Sequence, residues 1–128
     1  RANVQAFIEM KIPCSSDVYI SFDLDVLDPA YAPAVSHLEP GGISTRQAID
    51  MLLCLGGRTD HEGSANLPNV VSSRRRVVMA DLVEFNPRHD LVLGVGEPGM
   101  PRQGLGAMAA AKIAKELLGL LTQPLDAV

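Results

Sequence analysis

The chain has 128 residues, 47% hydrophobic and 20% charged, with a net charge of −4, a balance ordinary for a folded domain and too apolar for intrinsic disorder. That acidity offers no field for nucleic acid or for an anionic membrane. No apolar run approaches the roughly 18 residues of a membrane span, and the N-terminus lacks signal-peptide architecture.

Residues Asn3 to Ile12 have mixed apolar spacing and read as a short helix, broken by Pro13 and the Cys14-Ser15-Ser16-Asp17 turn cluster. Val18 to Phe22 then reads as a buried strand, β-branched and aromatic. It runs into Ser21-Phe22-Asp23-Leu24-Asp25-Val26-Leu27-Asp28-Pro29, the most informative stretch of the chain. If the strand continues, alternate side chains share a face roughly 7 Å apart. Asp23 and Asp25 would then point into one crevice while Leu24 and Val26 pack the other way. Two carboxylates that close raise each other's pKa unless a cation sits between them, and a hard divalent metal answers that need.

Pro29, Pro33, Pro40 and the Gly41-Gly42 pair mark an ordered loop with special backbone angles. Ser44 and Gln47 form a capping box for a helix whose apolar face is Ala48, Ile49, Leu52 and Leu53, ending at Gly56-Gly57. Residues 56–73 are polar, rich in breakers and aperiodic, which reads as a long exposed loop. His61 and Glu62 lie in it without a third partner nearby, so solvation is favoured over metal binding. Arg74-Arg75-Arg76 reads as a solvated strand entrance and is too short for a nucleic-acid patch. Val77 to Ala80 is a second apolar run, capped by Asp81 and Glu84. Residues 91–103 carry three glycines and two prolines and read as another flexible loop. From Gly104 to Leu121, Leu105, Met108, Ala109, Ile113, Leu117 and Leu120 recur at helical spacing, with Met108 as core filler. Cys14 and Cys54 have no metal-binding spacing; buried free thiols are the favoured reading, with a disulfide as the alternative.

Strand, loop, helix, strand, loop, helix predicts an α/β fold with a parallel sheet, ligands binding outside the carboxyl ends of its strands. Both acidic clusters lie there. Two or three strands are too few to manage both sheet faces and edges, so the chain is expected to belong to a larger sheet or to dock on a partner. It also opens on Arg1 and not on Met, as a processed chain or a piece of a longer one does.

The Asp-x-Asp-x-x-Asp-Pro run, followed by Glu39-Pro40-Gly41-Gly42 and by Asp81-Leu82-Val83-Glu84-Phe85-Asn86-Pro87, resembles the ureohydrolase family of arginases and agmatinases. Ala34-Val35-Ser36-His37-Leu38-Glu39-Pro40-Gly41-Gly42 is most similar to the plant-type branch. The resemblance implies the C-terminal half of a three-layer α/β/α arginase-like fold, with residues 1–128 a portion of one ureohydrolase domain and 56–73 and 91–103 insertion-like loops. It implies two Mn²⁺ ions, Asp23 bridging them and Asp25 binding one, and hydrolysis of arginine to ornithine and urea, with agmatine or another guanidino compound as the alternative substrate. Glu84 would accept hydrogen bonds from the guanidinium, a planar fork of donors that suits a carboxylate. His37 would contact substrate, as a candidate catalytic residue, or bond within its loop in a structural role. Asp28, turning with Pro29, and Asp81 would be structural supports, and His89 an exposed loop residue. A homotrimer or hexamer and a soluble intracellular location, cytoplasmic or mitochondrial, go with that family.

The sequence also departs from the family. The first metal motif, Asp-x-His-x-Asp with a histidine upstream, and the proton-shuttle histidine have no counterpart among His37, His61 and His89. Two carboxylates cannot satisfy metals that each want about six ligands. The chain alone is therefore expected to be inactive, either because it supplies part of a larger site or because it is a truncated, noncatalytic homologue that binds partners.

Overall fold

A computed structural model describes residues 2–13, 16–56, 75–93 and 103–122. Helix α1 (Ala2–Lys11) precedes strand β1 (Asp17–Asp23), and a 3-10 turn (Leu24–Val26) leads through the proline-rich loop to α2 (Thr45–Leu55). Strand β2 (Arg76–Val83) follows, then a second 3-10 turn (Pro87–His89), short strands β3 (Val92–Leu93) and β4 (Gln103–Gly104), and α3 (Leu105–Leu121). β1 and β2 pair in parallel, so β1, α2 and β2 make the expected β-α-β unit. The strand reading at 77–80 was too short because β2 runs on through Asp81 to Val83.

Register decides the faces. Val18 pairs with Val77 but Tyr19 with Met79, leaving Val78 as the extra residue of a β-bulge. Beyond it Ile20 and Phe22 face the core, with Ala80 and Leu82 packed against them. Tyr19, Ser21 and Asp23 alternate to the outer face, opposite Met79, Asp81 and Val83. Tyr19, Val78 and Met79 are exposed, so neither apolar run is buried throughout. The covered face packs on α2 and α3 through Ala48, Ile49, Leu52, Leu53, Ala109, Ala110, Ile113, Leu117 and Leu120. Met108 is 41% exposed and not core filler, whereas the next two residues, Ala109 and Ala110, are buried in the core. Cys54 is buried, whereas Cys14, His61, Glu62 and Arg74 lie outside the described residues.

Helix termini are satisfied by distant side chains as well as by local caps. Ser44 and Gln47 complete the capping box. Gly104 offers α3 no side-chain cap, and Asp90 substitutes, accepting from the N–H groups of Gly106 at 2.7 Å and Ala107 at 3.0 Å. The antiparallel β3–β4 pair brings Asp90 there, so the ends of the stretch read as a flexible loop are ordered strands. Within the arginine run, Arg76 is exposed as expected but Arg75 is not solvated. Arg75 is 3% exposed and donates to the carbonyls of Ile8 at 3.2 Å and Ile12 at 2.7 and 3.0 Å, while Arg76 pairs with Asp17 and holds its carboxyl below the usual range. Arg75→Met should destabilise by about 1–3 kcal/mol, because it strands acceptors at the end of α1. Thermal melting and amide exchange in α1 would measure this, and unchanged exchange there would refute the clamp.

Candidate functional site

The strand does not continue past Asp23. The Asp23 carboxylate accepts the Asp25 N–H at 3.2 Å and caps the 3-10 turn that follows. A three-residue period buries Leu24 and Leu27, each at 0% exposure, and leaves Val26 at 43%. The expected packing of Val26 beside Leu24 is therefore wrong. Asp23 and Asp25 do come together, by a local cap and not by strand alternation.

The proline-rich loop is stapled to this turn. Ile43 donates to the Val26 carbonyl and Asp28 to that of Ile43, both at 3.0 Å, forming a single parallel bridge of Leu27 to Ile43. Asp28 takes the Ala30 N–H on one oxygen and the Gly41 N–H on the other, both at 2.9 Å. These two backbone donors hold its carboxyl below the usual range. Gly41 has φ +91°, and a Cβ on Gly42 would meet Asp28 N, Val26 O and Leu27 C at 2.6–2.7 Å, so each glycine is needed for a different reason.

Glu84, directly after β2, has φ 63°, a left-handed conformation uncommon outside glycine and enriched at functional sites. Its segment is laced to the same loop. Asn86 donates from its backbone to Ala34 O at 2.8 Å and from its amide to Ser36 Oγ at 3.1 Å. His89, exposed as expected, nonetheless donates from Nδ1 to Val35 O at 2.9 Å. These ties hold the segment after β2 against the proline-rich loop.

Asp25 reports the result. Burial raises its carboxyl first, then its hydrogen bond with Asp23, then the negative charges of Asp23, Glu84 and Glu39. Four carboxylates thus share one field. Glu39 went unsingled in the sequence although it stands beside Pro40 in a recognised loop; an acid held next to a forced turn was the available signal. His37 is exposed on that loop and has no hydrogen bond to these carboxylates. Asp28 is occupied by backbone donors. Asp81 lies inside β2 and not at its end, accepting hydrogen bonds from Tyr19 and Ser21. Among the described residues no group of three His, Cys, Asp or Glu is arranged to hold a metal ion. The Asp23–Asp25 pair suits a hard cation in donor type but not in number.

A parallel β-α-β unit with acids gathered beyond its strand ends defines an α/β fold of the kind that binds ligands at that edge. The chain belongs to the arginase family, whose family model matches residues 1–119. It is 41% identical over 106 residues to the Arabidopsis thaliana protein named Arginase 1, mitochondrial, covering 83% of this chain and 23% of that one. An agmatinase of Bacillus cereus is 37% identical over 73 residues, covering 57% of this chain and 20% of the relative. Among solved structures, proclavaminate amidino hydrolase from Streptomyces clavuligerus superposes with a TM-score of 0.67 at 26% identity, over 94% of this chain and 30% of that one. The chain thus spans between a fifth and a third of its relatives' lengths, less than the half expected. No described helix is long and apolar enough to cross a membrane.

Proposed function

We propose that this chain contributes one side of the active site of a ureohydrolase that releases urea from a guanidino compound, with arginine as the first substrate and agmatine as the alternative. The observation that supports this most is that Asp23 and Asp25 meet at the end of β1 while the left-handed Glu84 directly after the paired β2 makes its charge felt at Asp25. Asp23 and Asp25 would hold Mn²⁺, and the remaining ligands would come from protein outside this chain. When bound, such ions supply a Lewis acid and lower the pKa of water.

The chain's own residues bind and orient. A cluster of carboxylates attracts the cationic guanidinium, and Glu84 would accept its N–H groups and orient it toward the Asp23–Asp25 pair. Leaving the fold unchanged, Glu84→Gln removes the charge from that contact. In the complete protein it should raise KM about 10–100-fold, the equivalent of the roughly 1.5–3 kcal/mol of a hydrogen bond to a charged group. Urea release from arginine and from agmatine, each with Mn²⁺, is the assay. Release from neither sinks the reaction; an unchanged KM sinks the role of Glu84.

The scarcity of metal ligands favours one corollary. The isolated chain should turn over neither substrate and should act only within a larger assembly, for which the family resemblance suggests a trimer or hexamer.

A further inference from the structure

The outer face of the sheet carries a polar cross-link that the binding roles above do not use. Ser21 donates to Asp81 Oδ1 at 2.9 Å, and the Tyr19 hydroxyl donates to Asp81 Oδ2. Both donors lie on β1 and the acceptor on β2, two and four residues before Asp23 and three before Glu84. We propose that Asp81, through Tyr19 and Ser21, is a positioning residue that locks the bulged register of β1 on β2 and thereby the offset of Glu84 from the Asp23–Asp25 pair. The proposal rests on the ureohydrolase reading for what Glu84 does, but not for the register itself.

The alternative register shows why a lock is needed. In the native pairing Ser21 lies opposite Asp81 and Asp23 opposite Val83, so Glu84 begins one residue beyond the end of β1. Without the bulge at Val78, Tyr19 would face Val78 and every later pair would slip by one. Asp81 would then oppose Phe22 on the core side, while Ala80 and Leu82 would turn outward. Glu84 would move about 3.3 Å along the strand, whereas a misplacement near 1 Å can already cost about 100-fold in rate. Two hydroxyl donors meeting one carboxylate reward the bulged register, and burying an unpaired carboxylate penalises the slipped one. The phenol of Tyr19 is raised above its ordinary value, first through this hydrogen bond, as expected when its proton is shared with an anion.

The Asp23–Asp25 cap lies within β1 and its turn, so a loosened register should displace Glu84 while leaving the metal ligands in place. In the complete protein, Asp81→Asn keeps the shape but cannot accept from both hydroxyls. It should raise KM for the guanidino substrate about tenfold, with kcat and Mn²⁺ affinity by titration calorimetry each within about twofold. Tyr19→Phe combined with Ser21→Ala should give the same rise, with no further rise on adding Asp81→Asn. Ser21→Thr, which keeps the hydroxyl, should retain the native KM. An unchanged KM with a lowered melting temperature or kcat would overturn the proposal and leave a merely structural role. So would a fall in Mn²⁺ affinity that accompanies the rise in KM. Should the native protein release no urea, the functional reading fails by itself, and amide exchange at Val83 and Glu84 then decides: faster exchange in Asp81→Asn upholds the register lock, and native protection overturns it.

Discussion

Asp23→Asn is expected to leave the fold intact and to abolish Mn²⁺-dependent urea release by the complete protein. An asparagine oxygen accepts the Asp25 N–H as an aspartate oxygen does, at a distance of 3.2 Å in the native turn, so the 3-10 turn keeps its cap. The charge that would face the metal is gone. Metal activation is worth several kcal/mol in the transition state, and at 1.36 kcal/mol per tenfold the loss should reach about a thousandfold or more. Asp23→Ala loses the cap as well and should melt lower.

The pH dependence of the metal-free protein follows from the same crowding. The Asp25 carboxyl is raised above its ordinary 3.8 in the fold, by burial first and then by its acidic neighbours. A raised folded pKa contributes stability that is fully present below the unfolded value and lost as pH rises through the folded one. Asp23→Asn removes one of those neighbours, so metal-free protein should lose less stability over that rise than the native chain. Melting curves across that range, with Mn²⁺ titrations at neutral pH, test both statements. Native Mn²⁺ affinity in the asparagine variant would remove Asp23 from the ligand set.

Gly42→Ala should be strongly damaging for a single methyl. The added Cβ would lie 2.6–2.7 Å from three backbone atoms of Val26, Leu27 and Asp28, and backbone cannot rotate aside as a flexible side chain does. The cost should be about 3 kcal/mol, at the upper end for overpacking, with loss of the Leu27–Ile43 bridge. Gly41→Ala meets open space but inherits φ +91°, a cost of about 1–2 kcal/mol. Denaturant titration should rank the two in that order; the reverse would mean that the turn's backbone angle, and not its close approach, governs the loop. Acid should weaken the same staple. The Asp28 carboxyl lies below its ordinary 3.8, so its contribution is complete above 3.8 and disappears as pH falls through the folded value.

Much of this architecture was legible in the chain because it is written in local chemistry. The Ser44–Gln47 capping box, the helix of α3 and the existence of both strands depend on neighbours a few residues away, and each formed near where its pattern placed it, although Met108, Tyr19, Val78 and Met79 face outward. The acidic run after β1 announced the site for the same reason: carboxylates have no packing motive at the end of an apolar strand. Its precise form was not legible, because whether residues 24–26 continue a strand or close a 3-10 turn depends on the contest between alternation and the burial of Leu24 with Leu27.

Long-range pairing settled the rest. Strand register, the bulge at Val78 and the consequent outward face of Tyr19 and Asp81 depend on which residue of β2 meets β1, and a one-residue slip leaves the composition of both strands untouched. Arg75 looked like one of three solvated cations until α1 brought carbonyl oxygens to it, and Asp90 looked like any loop acid until α3 brought its N–H groups there. Glu39 joins Asp25 only because Gly41 and Gly42 fold its loop onto the end of β1. Sequence patterning thus names the chemistry and the family, since residue type and spacing travel with the chain. Which carboxylates share one field is decided by the meeting of segments remote in sequence, since electrostatic interaction falls off with distance through space and takes no account of separation along the chain.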